Sequence, residues 1–177
     1  MKKFRLSLLP LLLLTLALIL GGCGADSSDQ GTPTTSFGMR GHQAPDFTLK
    51  TLEGQDITLS ELQGKPVVLN FWATTCPYCL TEKPHVNQFY AENQENVVVL
   101  GVNLAFQDDI NDVKKFLDIA NITFPTVFDE TGEVTMAYRV GGLPTTYIID
   151  KKGIIQNVKM GAIASKSELD SLVAPLR

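Results

Sequence analysis

Two stretches of this chain are apolar at nearly every position, Val67–Trp72 and residues 97–103, and each has the length and β-branched content of a strand buried on both faces. Between them, residues 76–93 read as a helix. Residues 108–120 place Ile110, Val113, Phe116, Leu117 and Ala120 at helical spacing, with acids at the start, where a helix dipole favours them. Ahead of the first buried strand, residues 46–50 and 55–59 form a hairpin pattern across Glu53-Gly54, followed by one helical turn capped by Ser60 and ended by Gly64. Further on, residues 133–138 read as a short helix, Thr145–Ile149 and residues 154–160 as a second hairpin, and residues 167–176 as a last helix. Parallel crossovers followed by an antiparallel hairpin predict an α/β domain. Its central mixed sheet is flanked by helices, with an N-terminal β-hairpin and a helical insertion after the second core strand.

The first 41 residues do not fit that pattern. Met1-Lys2-Lys3-Phe4-Arg5 is a basic start, residues 6–20 are an apolar run, and Leu20-Gly21-Gly22-Cys23 closes it with small residues before a cysteine. This is similar to a bacterial lipoprotein signal peptide (residues 1–22), in which Cys23 is lipidated and becomes the mature N-terminus. An uncleaved transmembrane anchor is the alternative, but the run is shorter than the roughly 20 residues a spanning helix needs and Pro10 interrupts it. Both readings place residues 42–177 outside the cytoplasm on a tether to the cell membrane. The lipidated Cys23 and residues 24–41, rich in Gly, Ser, Thr and Asp, read as a flexible linker with a mean span of roughly 20–25 Å.

Charge excludes some partners. Loss of residues 1–22 removes Lys2, Lys3 and Arg5 and no acids, so the formal charge moves from −4 to −7. An acidic domain is a poor ligand for nucleic acid or anionic lipid, which leaves the acyl chains to do the anchoring.

The candidate chemistry sits where the first buried strand ends. Cys76-Pro77-Tyr78-Cys79 places two thiols one helical turn apart at a strand-to-helix junction. Unpaired N–H groups in the first turn stabilise a thiolate on Cys76, the attacking sulfur, and Cys79 is positioned to attack a mixed disulfide and release the partner. Pro77 suits the first helical position, where a missing N–H costs nothing. A zinc site competes for the same residues. Zinc wants four ligands, and beyond the pair the chain offers Cys23, His42 and His85 at no useful spacing, so no metal and no cofactor beyond the disulfide is expected.

Four stretches together carry a family resemblance: Ala44-Pro45-Asp46-Phe47-Thr48-Leu49, Leu59-Ser60-Glu61-Leu62-Gln63-Gly64-Lys65-Pro66, the Phe-Trp-Ala and Cys-Pro-Tyr-Cys segment, and Gly142-Leu143-Pro144-Thr145-Thr146. In that order the chain from about Gly41 resembles the thioredoxin fold, and within it the membrane-anchored thiol-disulfide oxidoreductases of the TlpA and ResA type. The resemblance implies a cis peptide before Pro144, packed against the cysteine pair, with the Leu143 backbone holding a substrate segment in strand-like pairing. It implies that Trp72 lies beside the site and belongs to the substrate-contacting set. It also implies a functional glutamate at Glu82, three residues after Cys79 on the same helical face, able to accept the Cys79 proton. Thioredoxin's buried aspartate is replaced here by Asn70, which cannot titrate, and this shifts proton handling toward Glu82.

Departures from the family pattern touch the partner more than the chemistry. Thr75 stands where Trp is usual. Leu104-Ala105-Phe106 stands where ResA-type proteins carry an acid, leaving either Asp108 or Asp109 as a substitute or Phe106 as an apolar wall. The expected activity is reduction of protein disulfides outside the cytoplasm by a monomer. Electrons would come from a membrane donor of the DsbD or CcdA type, and apocytochrome c is one candidate substrate. A thiol peroxidase of the AhpC/TSA type is an alternative, since peroxiredoxins share the Ala-Pro-Asp-Phe opening, but the positions that would polarise a peroxide hold Ala73 and Leu69. A copper chaperone of the Sco type is another; that fold shows Cys-x-x-x-Cys and a distant histidine, whereas no histidine follows His85 here. The direction of electron flow turns on how far the Cys76 thiolate is stabilised, because a very low thiol pKa would make the protein an oxidant.

Overall fold

The computed structural model describes residues 38–177; the signal peptide, Cys23 and most of the predicted linker lie outside them. Seven strands form one sheet in the order β2-β1-β5-β4-β3-β6-β7. They are β1 (Thr48–Thr51), β2 (Asp56–Thr58), β3 (Val67–Trp72), β4 (Val98–Asn103), β5 (Thr126–Phe128), β6 (Thr145–Ile149) and β7 (Ile155–Met160). The helices are α1 (Pro77–Asn93), α2 (Ile110–Ile119), α3 (Glu133–Ala137) and α4 (Lys166–Val173). β3 is central and buried along its whole length, parallel to β4 and antiparallel to β6.

Strand alternation divides β3 between two cores. Val67, Leu69 and Phe71 face a cluster with Leu59, Val134, Tyr138 and Tyr147, on the side covered by α3 and the N-terminal segment. Val68 faces Val86 and Phe89 of α1 and Leu169 and Val173 of α4. On that same side Trp72 stacks on Phe116 of α2, with ring centroids 4.6 Å apart, an arrangement worth about 1 kcal/mol beyond the area it buries. Asn70 is the one polar residue of β3. By alternation it points toward α1, and this orientation makes the site described below.

The predicted elements form, with three differences. β5 has no counterpart among the expected elements: three residues after Pro125 are too short for a periodic signal, and the strand exists because β4 and β1 flank it and take up its backbone groups. The helix after β4, expected as an insertion, is therefore the crossover from β4 to the parallel β5. The second difference concerns the linker. Residues 38–41 belong to the domain, since Gly38 N–H donates to Ala137 O (3.0 Å) and Gly41 N–H to Ile155 O (2.7 Å). At Gly38 a Cβ would sit 2.5 Å from the Tyr138 Cα, so only glycine permits this approach. The last helix starts at Lys166, one residue earlier than expected, because Ser165 Oγ accepts the Glu168 N–H and caps it.

Candidate active site

β3 delivers the chain to the sheet edge at Trp72, and the next turn is clamped before the cysteines begin. Asp108 accepts hydrogen bonds from Thr74 N–H (2.8 Å), Thr74 Oγ1 (2.8 Å) and Asn103 Nδ2 (2.8 Å). Asp108 is thus committed to holding the loop before Cys76, while Asp109 caps α2 through the Asn111 N–H. Phe106 is exposed and lies against Gly132. Neither aspartate is a free acid facing the thiols, because their carboxylates already serve backbone donors.

Cys76 is the N-cap of α1, with Pro77 first in the helix, as the spacing predicted. The Cys76 sulfur accepts the Cys79 N–H at 3.1 Å, a donor it shares with the Cys76 carbonyl oxygen, so a first-turn N–H points at that sulfur. The two cysteines are joined in a disulfide, with Cα atoms 5.3 Å apart. Their surroundings differ: Cys76 is half-buried, whereas Cys79 is fully buried with Trp72 and Phe116. Only one residue of the pair is accessible from outside.

The Leu143–Pro144 peptide is cis. Thr145 pairs with Phe71 across the sheet, which brings the proline alongside the end of β3, and Leu143 packs against the cluster that holds Trp72, Cys76 and Cys79. Trp72, expected among the substrate contacts, has no exposed surface; it is a packing residue under the site, and a partner cannot touch it. The exposed rim is formed instead by Thr75, Pro77, Tyr78 (69% exposed) and Leu80, and across a groove by Ile119 (74% exposed) of α2.

Beneath the pair, Glu82 is fully buried. Its Oε1 accepts from Asn70 Nδ2 (2.8 Å) and its Oε2 from the Ile163 N–H (2.9 Å). Asn70, expected only to leave thioredoxin's acid missing, is an active bridge: its Nδ2 also donates to Thr146 Oγ1 (2.9 Å), and its Oδ1 accepts from Lys83 Nζ (2.5 Å). Lys83 is itself fully buried, with its ammonium 3.6 Å from Glu82 Oε1 and 5.3 Å from the centre of the Trp72 ring. Burial pushes the Lys83 ammonium down to about 8, and the adjacent Glu82 carboxylate offsets part of that fall.

Sequence reasoning missed Lys83 because a lysine beside a glutamate reads as solvated surface. A signal was present. Cys79, Glu82, Lys83 and Val86 stand at i, i+3, i+4 and i+7, the spacing of an inward helix face, and all four are buried. His85 is half-buried in α1, and among the described residues no cluster of three His, Cys, Asp or Glu side chains is able to hold a metal ion.

The AhpC/TSA family model matches residues 40–158. The thioredoxin-like protein YneN of Bacillus subtilis is 40% identical over 129 residues, covering 72% of this chain and 75% of that protein. The thiol-disulfide oxidoreductase ResA of Geobacillus thermodenitrificans is 38% identical over 136 residues, covering 75% of this chain and 77% of ResA. The chain belongs to the AhpC/TSA family, as a ResA-type thiol-disulfide oxidoreductase. The crystal structure of StoA from Bacillus subtilis superimposes with a TM-score of 0.65 at 31% identity, over 73% of this chain and 97% of StoA. Like its ResA-type relatives, this enzyme works on protein thiols through a cysteine disulfide, Cys76–Cys79, without a cofactor. The family name also covers the peroxidase alternative, but buried Ala73 stands where a peroxidase needs a Thr or Ser hydroxyl and buried Leu69 where it needs a proline.

Proposed function

We propose that this ResA-type enzyme reduces disulfides of protein substrates outside the cytoplasm, tethered to the membrane through a lipidated Cys23. The observation that carries the mechanism is the unequal burial of the two sulfurs, with the exposed one at a helix N-terminus. The Cys76 thiolate attacks a substrate disulfide, forming a mixed disulfide and expelling one substrate thiolate, which takes a proton from water. Cys79 then gives its proton to Glu82 and attacks the Cys76 sulfur, so that the second substrate thiol leaves. The substrate gains two electrons and the enzyme ends as the Cys76–Cys79 disulfide.

The cis Leu143–Pro144 segment is the docking edge. No backbone partner for the Leu143 N–H or C=O is found among the described residues, and this leaves them free to pair with an extended substrate strand. Electrons return from a membrane donor of the DsbD or CcdA type, and apocytochrome c, with its cysteine pair, is a candidate substrate. No helix among the described residues is long and apolar enough to cross a membrane, so anchoring falls to the N-terminal segment.

The deciding measurement is the reduction potential of the pair. A value near about −270 mV, that of thioredoxin, supports a reductant, and one near about −120 mV, that of DsbA, overturns it. Trapping on Cys79→Ala, which cannot resolve a mixed disulfide, names the substrate. Detergent partitioning of wild type against Cys23→Ala tests the tether.

A further inference from the structure

A lysine with no exposed surface, in a half of the molecule otherwise packed with rings and aliphatic chains, calls for a reason, because a buried ammonium is costly unless paired. Lys83 has its pair. Its Nζ donates to Asn70 Oδ1, stands 3.6 Å from Glu82 Oε1, and lies over the Trp72 and Phe124 rings at 5.3 and 5.7 Å from their centres. By accepting this bond on Oδ1, the Asn70 amide is turned so that its Nδ2 points at Glu82. Every group touching Glu82 is then a donor: Asn70 Nδ2, the Ile163 N–H and, at longer range, the ammonium. In the disulfide form both Glu82 oxygens are therefore acceptors.

We propose that Lys83 is a positioning residue for thiol exchange, the buried counter-ion that keeps Glu82 ionised and thereby able to take the proton of Cys79. The proposal rests on the reading of Glu82 as the proton acceptor. Charge counting gives it force. In the dithiol, Lys83 ammonium, Glu82 carboxylate and Cys79 thiol sum to zero. When the proton passes from Cys79 sulfur to a Glu82 oxygen, ammonium, carboxylic acid and thiolate again sum to zero, so the transfer moves charge inside a dry region without creating any. Without the ammonium, the dry region would carry a lone anion, on Glu82 before the transfer and on the Cys79 sulfur after it, with no counter-charge at either stage.

The surrounding elements add no further charge. β3 brings Asn70 and Trp72, β6 brings Thr146, and the segments before β5 and after β7 bring Phe124 and the Ile163 backbone; Glu82 is the charged group acting on Lys83. Burial lowers the ammonium to about 8 and the Glu82 carboxylate holds it from falling further, so Lys83 stays charged at neutral pH beside its partner.

The test uses the reduced full-length chain and an aryl disulfide, dithiobis-nitrobenzoate, which reports both halves of the exchange. Attack by Cys76 releases one coloured arylthiolate, and attack by Cys79 on the mixed disulfide releases the second. Lys83→Gln keeps a donor for Asn70 and removes the charge. It is expected to slow the second release at neutral pH by about tenfold or more while the first stays within about twofold, and the deficit should close as pH rises and Cys79 ionises unaided. Glu82→Gln should slow the same step, and the double variant should add little to either single one. If Glu82→Gln slows the second release and a folded Lys83→Gln does not, the counter-ion role is overturned and the Glu82 reading stands. If Glu82→Gln leaves the second release unchanged, the Glu82 reading fails and this inference with it. Should Lys83→Gln not fold, Lys83→Met, which fills a similar buried volume without a charge, takes its place in the same assay, and a second release within about twofold of wild type in the folded variant overturns the proposal.

Discussion

Two carboxylates are fully buried in this domain, and they are buried differently. Asp129 accepts hydrogen bonds from Gly132 N–H (3.0 Å), Thr135 N–H (2.8 Å) and Thr135 Oγ1 (2.6 Å), all within six residues of itself. Glu82 is satisfied from afar, by Asn70 at a separation of 12 residues and by Ile163 at a separation of 81. Asp129 ties the loop after β5 to the start of α3, a local structural role that needs no neighbour able to exchange a proton. Glu82 has an ammonium beside it and a buried thiol one helical turn back. The lesson is that burial alone does not mark a functional acid. What sets Glu82 apart, and supports its proposed role, is a cradle assembled from several distant elements, with an ammonium included.

Substitutions should pull the two apart. The largest effect is expected at Asp129: Asp129→Ala leaves three donors unpaired and should lower stability by about 3 kcal/mol or more, read by denaturant unfolding, with exchange rates of the folded fraction unchanged. A comparable loss of exchange activity in folded Asp129→Ala would erase the distinction. Next, Glu82→Gln should slow resolution of the mixed disulfide by about tenfold to a hundredfold while stability changes by less than it does at Asp129, measured by single-turnover release of the second substrate thiol.

A smaller effect separates the two through pH. The Lys83 ammonium titrates near 8 in the folded protein and at 10.5 in the unfolded chain, so between those values the unfolded state binds the extra proton. Stability from this group therefore rises with pH across that window, by at most about 1.4 kcal/mol per pH unit. Unfolding midpoints from pH 8 to 10 should show the rise in wild type and lose it in Lys83→Gln. The smallest change is expected at the clamp on the active-site loop. Asp108→Asn keeps its acceptor toward one Thr74 donor and should slow the first, Cys76-dependent step by only about threefold, leaving the second step alone. An effect confined to the second step would contradict the placement of Asp108.

Much of this was legible early because the signals were local. Cys76-Pro77-Tyr78-Cys79 between an apolar run and a helix announces the redox pair without tertiary information, and the runs at Val67–Trp72 and residues 97–103 mark the two parallel strands that present it. Other features were not legible. β5, three residues long, becomes a strand only because β4 and β1 offer hydrogen-bond partners on either side. Trp72 reads as a contact residue from its place next to the site, yet Phe116 of α2 covers it, and α2 lies almost forty residues further along the chain.

By itself, then, the sequence determined the α/β pattern, the thiol pair and its helix-capped sulfur, since each depends on residues within a turn or a strand length of one another. Tertiary structure alone decided which sulfur is hidden, that Asn70 bridges rather than merely lacks a charge, and which groups receive the Lys83 ammonium on the inward face that its spacing marks. The physical reason is the same in each case. A buried charge or amide is tolerated only where packing brings complementary groups to it, and those groups, drawn here from β3, β6 and the segment after β7, leave no period in the sequence.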